Sequence, residues 1–193
     1  MPTEVAREAF DLFQQYDGEL SVFSDGLAIK TPEGIAKLTS RTAHFLSSEA
    51  RQNLTDGRFT VIPGIESWMS RHAHEIEKLC MFFDSTEKTA AALPKFQAIP
   101  GVAVVQGSPD NIEVTAAGVD KGSALLALAD RLGIPREATL AIGDSDNDRA
   151  MLARAGVAAV MANALPEIRA LGDIVSTRDN DHDGVAELFQ RLG

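Results

Sequence analysis

The sequence predicts an α/β protein in which a unit of two helix-strand-strand copies is followed by part of a doubly wound parallel sheet. A helical pattern followed by two short apolar runs occurs once within residues 1–30 and again within residues 85–115. From residue 118 onward, helical patterns instead alternate with short apolar runs, which is typical of parallel sheets. The change of pattern predicts two domains, 1–117 and 118–193.

Local signals mark the elements of the first domain. Thr3 is a candidate N-cap for an amphipathic opening helix, and Thr31 is another, placed before Pro32 at the start of a later helix. Asp25-Gly26 supplies the positive φ angles that a tight hairpin needs. We expect an open sheet with helices on one face. The predicted strands span residues 20–23, 27–30, 102–106 and 112–115, and further helices span 65–76 and 85–96.

Residues 118–193 are predicted to contain three helices and three strands in alternation. The predicted helices span 121–132, 147–155 and 166–171, and the predicted strands span 139–142, 157–160 and 174–175. Three parallel strands are few, because such a sheet is covered on both faces and usually contains more. We therefore expect part of a larger core, with self-association through the free sheet edge as one consequence.

Composition disfavours several classes of partner. The net charge is −10 and the sequence pI is about 4.8, which disfavours nucleic acid and anionic membrane surfaces. No apolar stretch is long enough for a signal peptide or a membrane span. The single cysteine, Cys80, lies in an apolar run and predicts a buried thiol rather than a disulfide framework. A cytoplasmic location is the expectation.

The acidic run of residues 143–148, Gly-Asp-Ser-Asp-Asn-Asp, is the strongest chemical signal. It follows a predicted strand and precedes a predicted helix, where open α/β sheets bind their ligands. Asp144 and Asp148 offer the hard oxygen ligands that Mg²⁺ prefers, usually one or two carboxylates completed by phosphate and water. The structural alternative is that one aspartate caps the helix and the others are solvated.

Two further polar residues precede predicted helices. Lys121 follows Asp120 at the start of a helix, where a cation opposes the helix dipole by a few tenths to about 1 kcal/mol. That cost is understandable if the ammonium faces a bound anion such as a phosphoryl group. Asn163 lies between the strand 157–160 and the helix 166–171, and either caps that helix or contacts a substrate oxygen.

These residues together resemble the Cof-type phosphatases of the haloacid dehalogenase superfamily. The resemblance covers residues 118–193 and implies that they form part of a Rossmann-like core, while the doubled pattern of residues 1–117 is similar to the family's α/β cap, which selects the substrate. It is carried by residues 118–122 (Gly-Val-Asp-Lys-Gly), 143–148 with Met151-Leu152, 161–164 (Met-Ala-Asn-Ala) and 183–186 (Asp-Gly-Val-Ala).

The resemblance implies a magnesium-dependent phosphatase that hydrolyses small phosphomonoesters, such as sugar phosphates, through an aspartyl-phosphate. Lys121 would be a catalytic residue that contacts the nucleophile and the phosphoryl oxygens. Asp144 and Asp148 would hold Mg²⁺. Asn147 and Asn163 would join Lys121 in contacting the substrate, a small phosphorylated metabolite.

The sequence departs from the family in two motifs. The Ser or Thr strand of the family's second motif is not identified. No apolar strand in the sequence ends in Asp-x-Asp-Gly-Thr, the run that carries the family's nucleophile. We therefore expect an incomplete chain, inactive by itself. One alternative is a non-catalytic fragment that binds only metal or phosphate. Another is a calcium-binding interaction protein, because residues 179–184 (Asp-Asn-Asp-His-Asp-Gly) resemble the start of an EF-hand loop, although Gln190 occupies the position of its final Glu.

Overall fold

The computed structural model describes residues 1–44 and 46–192, apart from the side chains of residues 49, 51, 54 and 55. The chain divides into two compact units, Met1–Ala117 and Gly118–Gly193. In the described parts of the chain, no helix has the length and apolar character that a bilayer crossing requires.

The first unit is built on a six-stranded sheet with the order β3-β2-β1-β4-β6-β5, in which only the β2–β3 pair is parallel. Its helices are α1 (Thr3–Phe13), α2 (Pro32–Thr42), α3 (Ser48–Thr55), α4 (Ile65–His72) and α5 (Thr86–Gln97). Its strands are β1 (Gly18–Ser24), β2 (Leu27–Lys30), β3 (Thr60–Val61), β4 (Ile76–Phe83), β5 (Val102–Val105) and β6 (Asn111–Ala116).

One face of this sheet carries the hydrophobic core. Alternate strand residues such as Val22, Leu79 and Val114 pack against α1, α4 and α5, for example against Phe13 and Phe96, whose ring centroids lie 4.2 Å apart. Period-two alternation places the neighbouring residues on the opposite face, and these are mostly polar. The predicted helix-covered face is therefore present, while α2 contributes Arg41, which pairs with Glu19 of β1 on the polar face.

Several local predictions for the first unit are correct. The Asp25-Gly26 turn adopts φ angles of 50° and 71°, as a tight hairpin requires. Thr31 accepts a hydrogen bond from the Gly34 amide and caps α2.

Two others are wrong, and α3, β3 and β4 were not predicted. Thr3 does not cap α1, since Pro2 occupies the cap position with no side-chain hydrogen bond. The helix predicted over 65–76 ends at His72, because β4 begins at Ile76 after a short 3₁₀ turn, Ala73–Glu75.

The second unit has a three-stranded parallel sheet with the order β7-β8-β9. Its core includes Ala141, Leu152, Val160 and Ile168. Its helices are α6 (Lys121–Leu132), α7 (Arg149–Arg154), α8 (Pro166–Arg169) and α9 (Gly184–Leu192), and its strands are β7 (Leu140–Gly143), β8 (Val157–Val160) and β9 (Ile174–Val175).

The three predicted helices and three predicted strands occur in the predicted order, and α6, β8 and β9 have the predicted bounds, while α9 was not predicted. The helix predicted over 147–155 divides into a 3₁₀ turn, Asp146–Asp148, followed by α7. The predicted strand 139–142 shifts by one residue. Thr139 lies just before the strand. Its side chain accepts a hydrogen bond from the Gly156 amide, and its backbone amide donates to the Arg136 carbonyl.

Candidate functional site

The acidic run forms a tight turn at the carboxyl end of β7. Ser145 and Asp148 make a reciprocal capping box around the 3₁₀ turn. The amides of Asp144 and Ser145 donate to Oδ2 of Asp148 at 3.0 and 3.3 Å. A Cβ atom at Gly143 would lie 2.5 Å from Cβ of Asp148, so only glycine leaves room for this buried carboxylate.

Lys121 contacts the same turn. Its ammonium lies 2.5 Å from Oδ1 of Asp148 and 3.2 Å from Oδ1 of Asn147. Burial raises the pKa of Asp148, but the hydrogen bond from Lys121 and those from the two amides outweigh it, so the pKa lies below its usual value. The side chain of Asp148 is only 7% exposed while that of Lys121 is 49% exposed. Part of the ammonium is therefore available to a ligand.

The first turn of α6 fixes the position of Lys121. Asp120 accepts a hydrogen bond from the Ser123 amide at 2.7 Å. The Ser123 hydroxyl accepts one from the Asp120 amide, which completes a second capping box. Arg154 of α7 donates to both carboxylate oxygens of Asp120 at 3.1 Å. Gly122 allows the two helices to approach closely, since a Cβ there would overlap the Ala150 carbonyl.

Asn163 also reaches the acidic turn. Its amide nitrogen donates to Oδ2 of Asp144 at 2.7 Å, and its own oxygen accepts the Asn180 amide at 3.2 Å. It does not cap α8, whose N-cap position is Leu165. The loops after β7, β8 and β9 thus meet at one edge of the sheet, which brings all five residues singled out from the sequence together: Lys121, Asp144, Asn147, Asp148 and Asn163.

The two predicted metal-binding carboxylates differ in how many of their oxygens remain available to a metal ion. Both oxygens of Asp148 are occupied, by Lys121 and by backbone amides. Among the residues that the structure describes, Oδ1 of Asp144 accepts only a long 3.3 Å hydrogen bond from Ser145 Oγ. Residues 1–44 and 46–192 contain no group of three His, Cys, Asp or Glu side chains arranged to hold a metal ion. One available carboxylate still fits Mg²⁺, which usually takes most of its ligands from phosphate and water.

Several polar groups of the loop at residues 179–184 make hydrogen bonds with one another. Asp179 Oδ1 pairs with His182 Nδ1 at 2.5 Å and accepts the Asp181 amide at 3.0 Å. The hydrogen bond from His182 is the largest cause that keeps the pKa of Asp179 below its ordinary value. The side-chain amide of Asn180 donates to Asp181 at 3.1 Å. These contacts hold the loop that supports Asn163, and they leave the calcium alternative without a supporting observation.

Sequence reasoning missed several supporting residues. Arg154, Ser145 and Asn180 all position the candidate site, yet each is an ordinary polar residue in the sequence. Their separations in the chain from the groups that they hold range from 1 to 34 residues. Only the capping pattern at Asp120 and Ser123 offered a local signal for this support.

The parallel sheet with polar loops at its carboxyl ends defines a Rossmann-like α/β core, accompanied here by a second α/β unit. A model of the haloacid dehalogenase-like hydrolases matches residues 1–189. The chain therefore belongs to the haloacid dehalogenase-like hydrolase family, which confirms the predicted superfamily and fold class.

Solved structures with this fold are similar along the whole chain. A haloacid dehalogenase-like hydrolase from B. subtilis is 24% identical, with a TM-score of 0.81, and the match covers 100% of this chain and 72% of that one. A HAD/COF-like hydrolase from Plasmodium vivax is 20% identical over 100% of this chain and 64% of that one, with a TM-score of 0.76.

A HAD subclass IIB sugar phosphatase is 18% identical over 100% of this chain and 67% of that one, with a TM-score of 0.69. No curated protein sequence matches.

Proposed function

We propose that this chain supplies the phosphate-binding and metal-binding residues of a magnesium-dependent phosphatase for small phosphomonoesters. The observation that carries the proposal is the contact of Lys121 with Asp148 and Asn147, beside Asp144, at the carboxyl ends of the parallel strands. The carboxylates in this turn repel one another, so a divalent cation near Asp144 would be favoured. The ammonium of Lys121 would favour a bound anion beside it.

Each residue then has a distinct role. Asp144 holds the ion through its available oxygen, and Asp148 adds its charge while positioning Lys121. The ammonium of Lys121 donates to a phosphoryl oxygen, and Asn147 and Asn163 contact the substrate at either side. Bound Mg²⁺ would neutralise charge on the phosphoryl oxygens.

The nucleophile is not among these residues. The family mechanism proceeds through an aspartyl-phosphate, and the sequence contains no Asp-x-Asp-Gly-Thr run to provide it. The proposal for this chain is therefore limited to binding and orienting the phosphoryl group. The second candidate function is a fragment that binds metal and phosphate without turnover. The lack of an Asp-x-Asp-Gly-Thr run in the sequence favours it.

Residues 1–117 are proposed to be the cap that selects the substrate. The similarity of the whole chain to a sugar phosphatase supports sugar phosphates or related metabolites as the class. The net charge of −10 disfavours nucleic acid as a substrate. One buried cysteine suits a reducing compartment such as the cytoplasm.

Self-association is a separate proposal about the second unit. In the described chain, β7 pairs with β8 alone, which leaves its other edge open to a further strand. Leu128 and Leu132 on α6 are 57% and 61% exposed. Concentration-dependent sedimentation would detect association, and Leu128→Lys should reduce it. A strictly monomeric chain at all concentrations would contradict this proposal.

Titration with inorganic phosphate tests the site directly. We expect calorimetry to show phosphate binding that depends on Mg²⁺ and that Asp144→Asn abolishes. Asp146→Asn is the matched control, because Asp146 is 53% exposed and pairs with Arg149 at the surface. Binding that survives Asp144→Asn, or that needs no Mg²⁺, would refute the assigned site.

Hydrolysis separates the two candidate functions. The chain alone is expected not to hydrolyse p-nitrophenyl phosphate. A form extended at its amino terminus by a segment carrying Asp-x-Asp-Gly-Thr should hydrolyse it with Mg²⁺, and Asp144→Asn in that form should remove the activity. Phosphate binding without turnover in the extended form would favour the non-catalytic candidate.

A further inference from the structure

An open cavity of about 530 Å³ lies at one end of the sheet of the first unit. It is lined by the start of β1, the end of β4, helix α2 and the turn before β6, and its lining includes Glu19, Arg41, Phe82 and Asp110. The volume is in the range of small-molecule sites. The lining residues all belong to residues 1–117.

Arg41 is held rigidly in the wall of this cavity. Its Nε donates to Glu19 Oε2 at 2.8 Å, and its guanidinium lies 3.9 Å from the centroid of the Phe82 ring. Glu19 is itself fixed, because its side chain is only 5% exposed and its other oxygen accepts Lys30 Nζ at 2.7 Å. A guanidinium fixed by a carboxylate and an aromatic face is pre-organised for a ligand.

The outer part of this guanidinium lacks a protein acceptor. Within the side chains that the structure describes, only Nε of Arg41 makes a hydrogen bond, while Nη1 and Nη2 make none. The Arg41 side chain is 33% exposed, so a ligand can reach it. Two neighbouring guanidinium nitrogens match the geometry of a carboxylate.

The carboxylates that line the cavity are not equally neutralised. Asp17 pairs with Lys37, and Asp84 pairs with Lys88. Asp110 accepts a hydrogen bond from the Ser108 hydroxyl and has no cationic partner in the described part of the chain. The cavity thus presents unmatched donors on Arg41 and an unmatched acceptor on Asp110.

We propose that this cavity binds a small zwitterion of the amino acid class, with its carboxylate on Nη1 and Nη2 of Arg41 and its ammonium on Asp110. A ligand carrying only negative charge would approach the carboxylates of Asp17, Asp84 and Asp110. A ligand carrying only positive charge would approach Lys37 and Arg41. A zwitterion carries both a carboxylate for Arg41 and an ammonium for Asp110, so it pairs with both residues without adding net charge.

Calorimetry of the full chain with amino acids of increasing length tests the proposal. The probes are glycine, β-alanine, 4-aminobutanoate and 6-aminohexanoate, with butanoate and butylamine as single-charge controls. At least one amino acid should bind about tenfold or more tightly than either control, which corresponds to roughly 1.4 kcal/mol. The proposal is wrong if no amino acid binds, or if butanoate or butylamine binds as tightly as the best of them.

Variants test the two contacts separately. Arg41→Gln and Asp110→Asn should each weaken the best probe about tenfold, and Arg41→Lys should also weaken it, because the charge remains while the paired nitrogens are lost. Arg131→Gln and Asp130→Asn change exposed residues of α6 and should leave the affinity unchanged.

A folding control completes the experiment. Glu19 keeps Lys30 as a partner in Arg41→Gln, and thermal unfolding will show whether this variant is folded. Asp110→Asn is an independent test if Arg41→Gln unfolds. Unchanged affinity in a folded Arg41→Gln, or in Asp110→Asn, would overturn the proposal.

Discussion

Lys121 and Asp148 form the most consequential side-chain contact of the candidate site. Asp148 is buried and its pKa is lowered in the folded state, so it contributes stability above its unfolded pKa of about 3.9. That contribution is lost as the pH falls through the lower folded value. Acid should therefore weaken the protein partly by protonating this carboxyl.

Lys121→Met is expected to lower the free energy of unfolding at neutral pH by on the order of 1 kcal/mol, because Asp148 loses its cation while the exposed ammonium limits the effect. Urea unfolding at pH 7 and pH 3 would measure this. The difference between variant and wild type should shrink at pH 3. Lys88→Met is the control, since the Lys88–Asp84 pair is exposed on both sides and should contribute little. An equal loss in both variants would count against a special role for Lys121.

The close packing of α6 on α7 depends on the absence of a side chain at Gly122. Alanine would improve helix propensity by about 0.8–1.0 kcal/mol, but its methyl group would overlap the Ala150 carbonyl. Overpacking of this kind costs about 1–3 kcal/mol, so the clash should decide the sign.

Gly122→Ala should therefore destabilise the protein by about 1 kcal/mol in denaturant unfolding, which is the clash cost less the gain in propensity. Phosphate binding should weaken as well, since Lys121 is the adjacent residue. Ala127→Gly, at an exposed position of the same helix, gives the reference value for propensity alone. A more stable Gly122→Ala protein would show that the helices separate easily.

Helix α9 is attached to the end of β9 through Glu187. Its carboxylate accepts hydrogen bonds from the Ser176 hydroxyl at 2.8 Å and from the amides of Thr177 and Arg178 at 3.0 Å. The Ser176 hydroxyl is the largest cause that lowers the pKa of Glu187 to about 2. Because the folded pKa is depressed, this group adds stability above its unfolded pKa of about 4.3 and loses it as the pH falls toward 2.

Glu187→Gln should flatten the dependence of stability on pH between about 4.3 and 2. Chemical unfolding followed at several pH values in this window would show it. Glu167→Gln, at an exposed position of α8, should keep the wild-type slope. A Glu187→Gln protein with the wild-type slope would mean that other carboxyls dominate the acid response.

The elements that the sequence predicted best are those with strong local signals. Helix α6 has a capping residue at one end and Gly133 at the other, in the left-handed conformation that ends helices. The prediction failed where tertiary contacts decide. Strand β3 is two exposed residues, Thr60 and Val61, which pair with β2, and no periodicity can reveal so short a segment.

The candidate site shows the same division. Lys121, Asp144 and Asp148 were accessible from the sequence because each lies at the end of a predicted element. The orientation of Asn163 toward Asp144 was not, since it depends on the loop after β9 supporting Asn163 from a distance of 17 residues. Long-range support of this kind leaves no local pattern.

At the scale of the molecule, the first unit contains a complete sheet and its own core. The six strands and the helices α1, α4 and α5 bury their apolar residues within residues 1–117. This is the arrangement expected of a domain that folds independently. The fragment 1–117 is therefore expected to unfold cooperatively by itself, as followed by circular dichroism in urea.

The measurement should give one transition with the same midpoint at far-ultraviolet and near-ultraviolet wavelengths. Ala92→Asp, which introduces a charge into the buried face of α5, is a control that should abolish the transition. A fragment that retains secondary structure without a cooperative transition would show that its core depends on the rest of the chain.

The buried pair of Lys30 and Glu19 limits which substitutions related sequences can carry at these two positions. Lys30 is 1% exposed, and its ammonium contacts only Glu19 and the Ser21 hydroxyl among the polar groups that the structure describes. Replacing Glu19 alone leaves the buried Lys30 ammonium without a carboxylate, at a cost of several kcal/mol, whereas replacing Lys30 leaves Glu19 paired with Arg41. Lineages descended from a common ancestor that keep the lysine should therefore also keep the acidic residue, and a related sequence carrying the lysine alone should be rare.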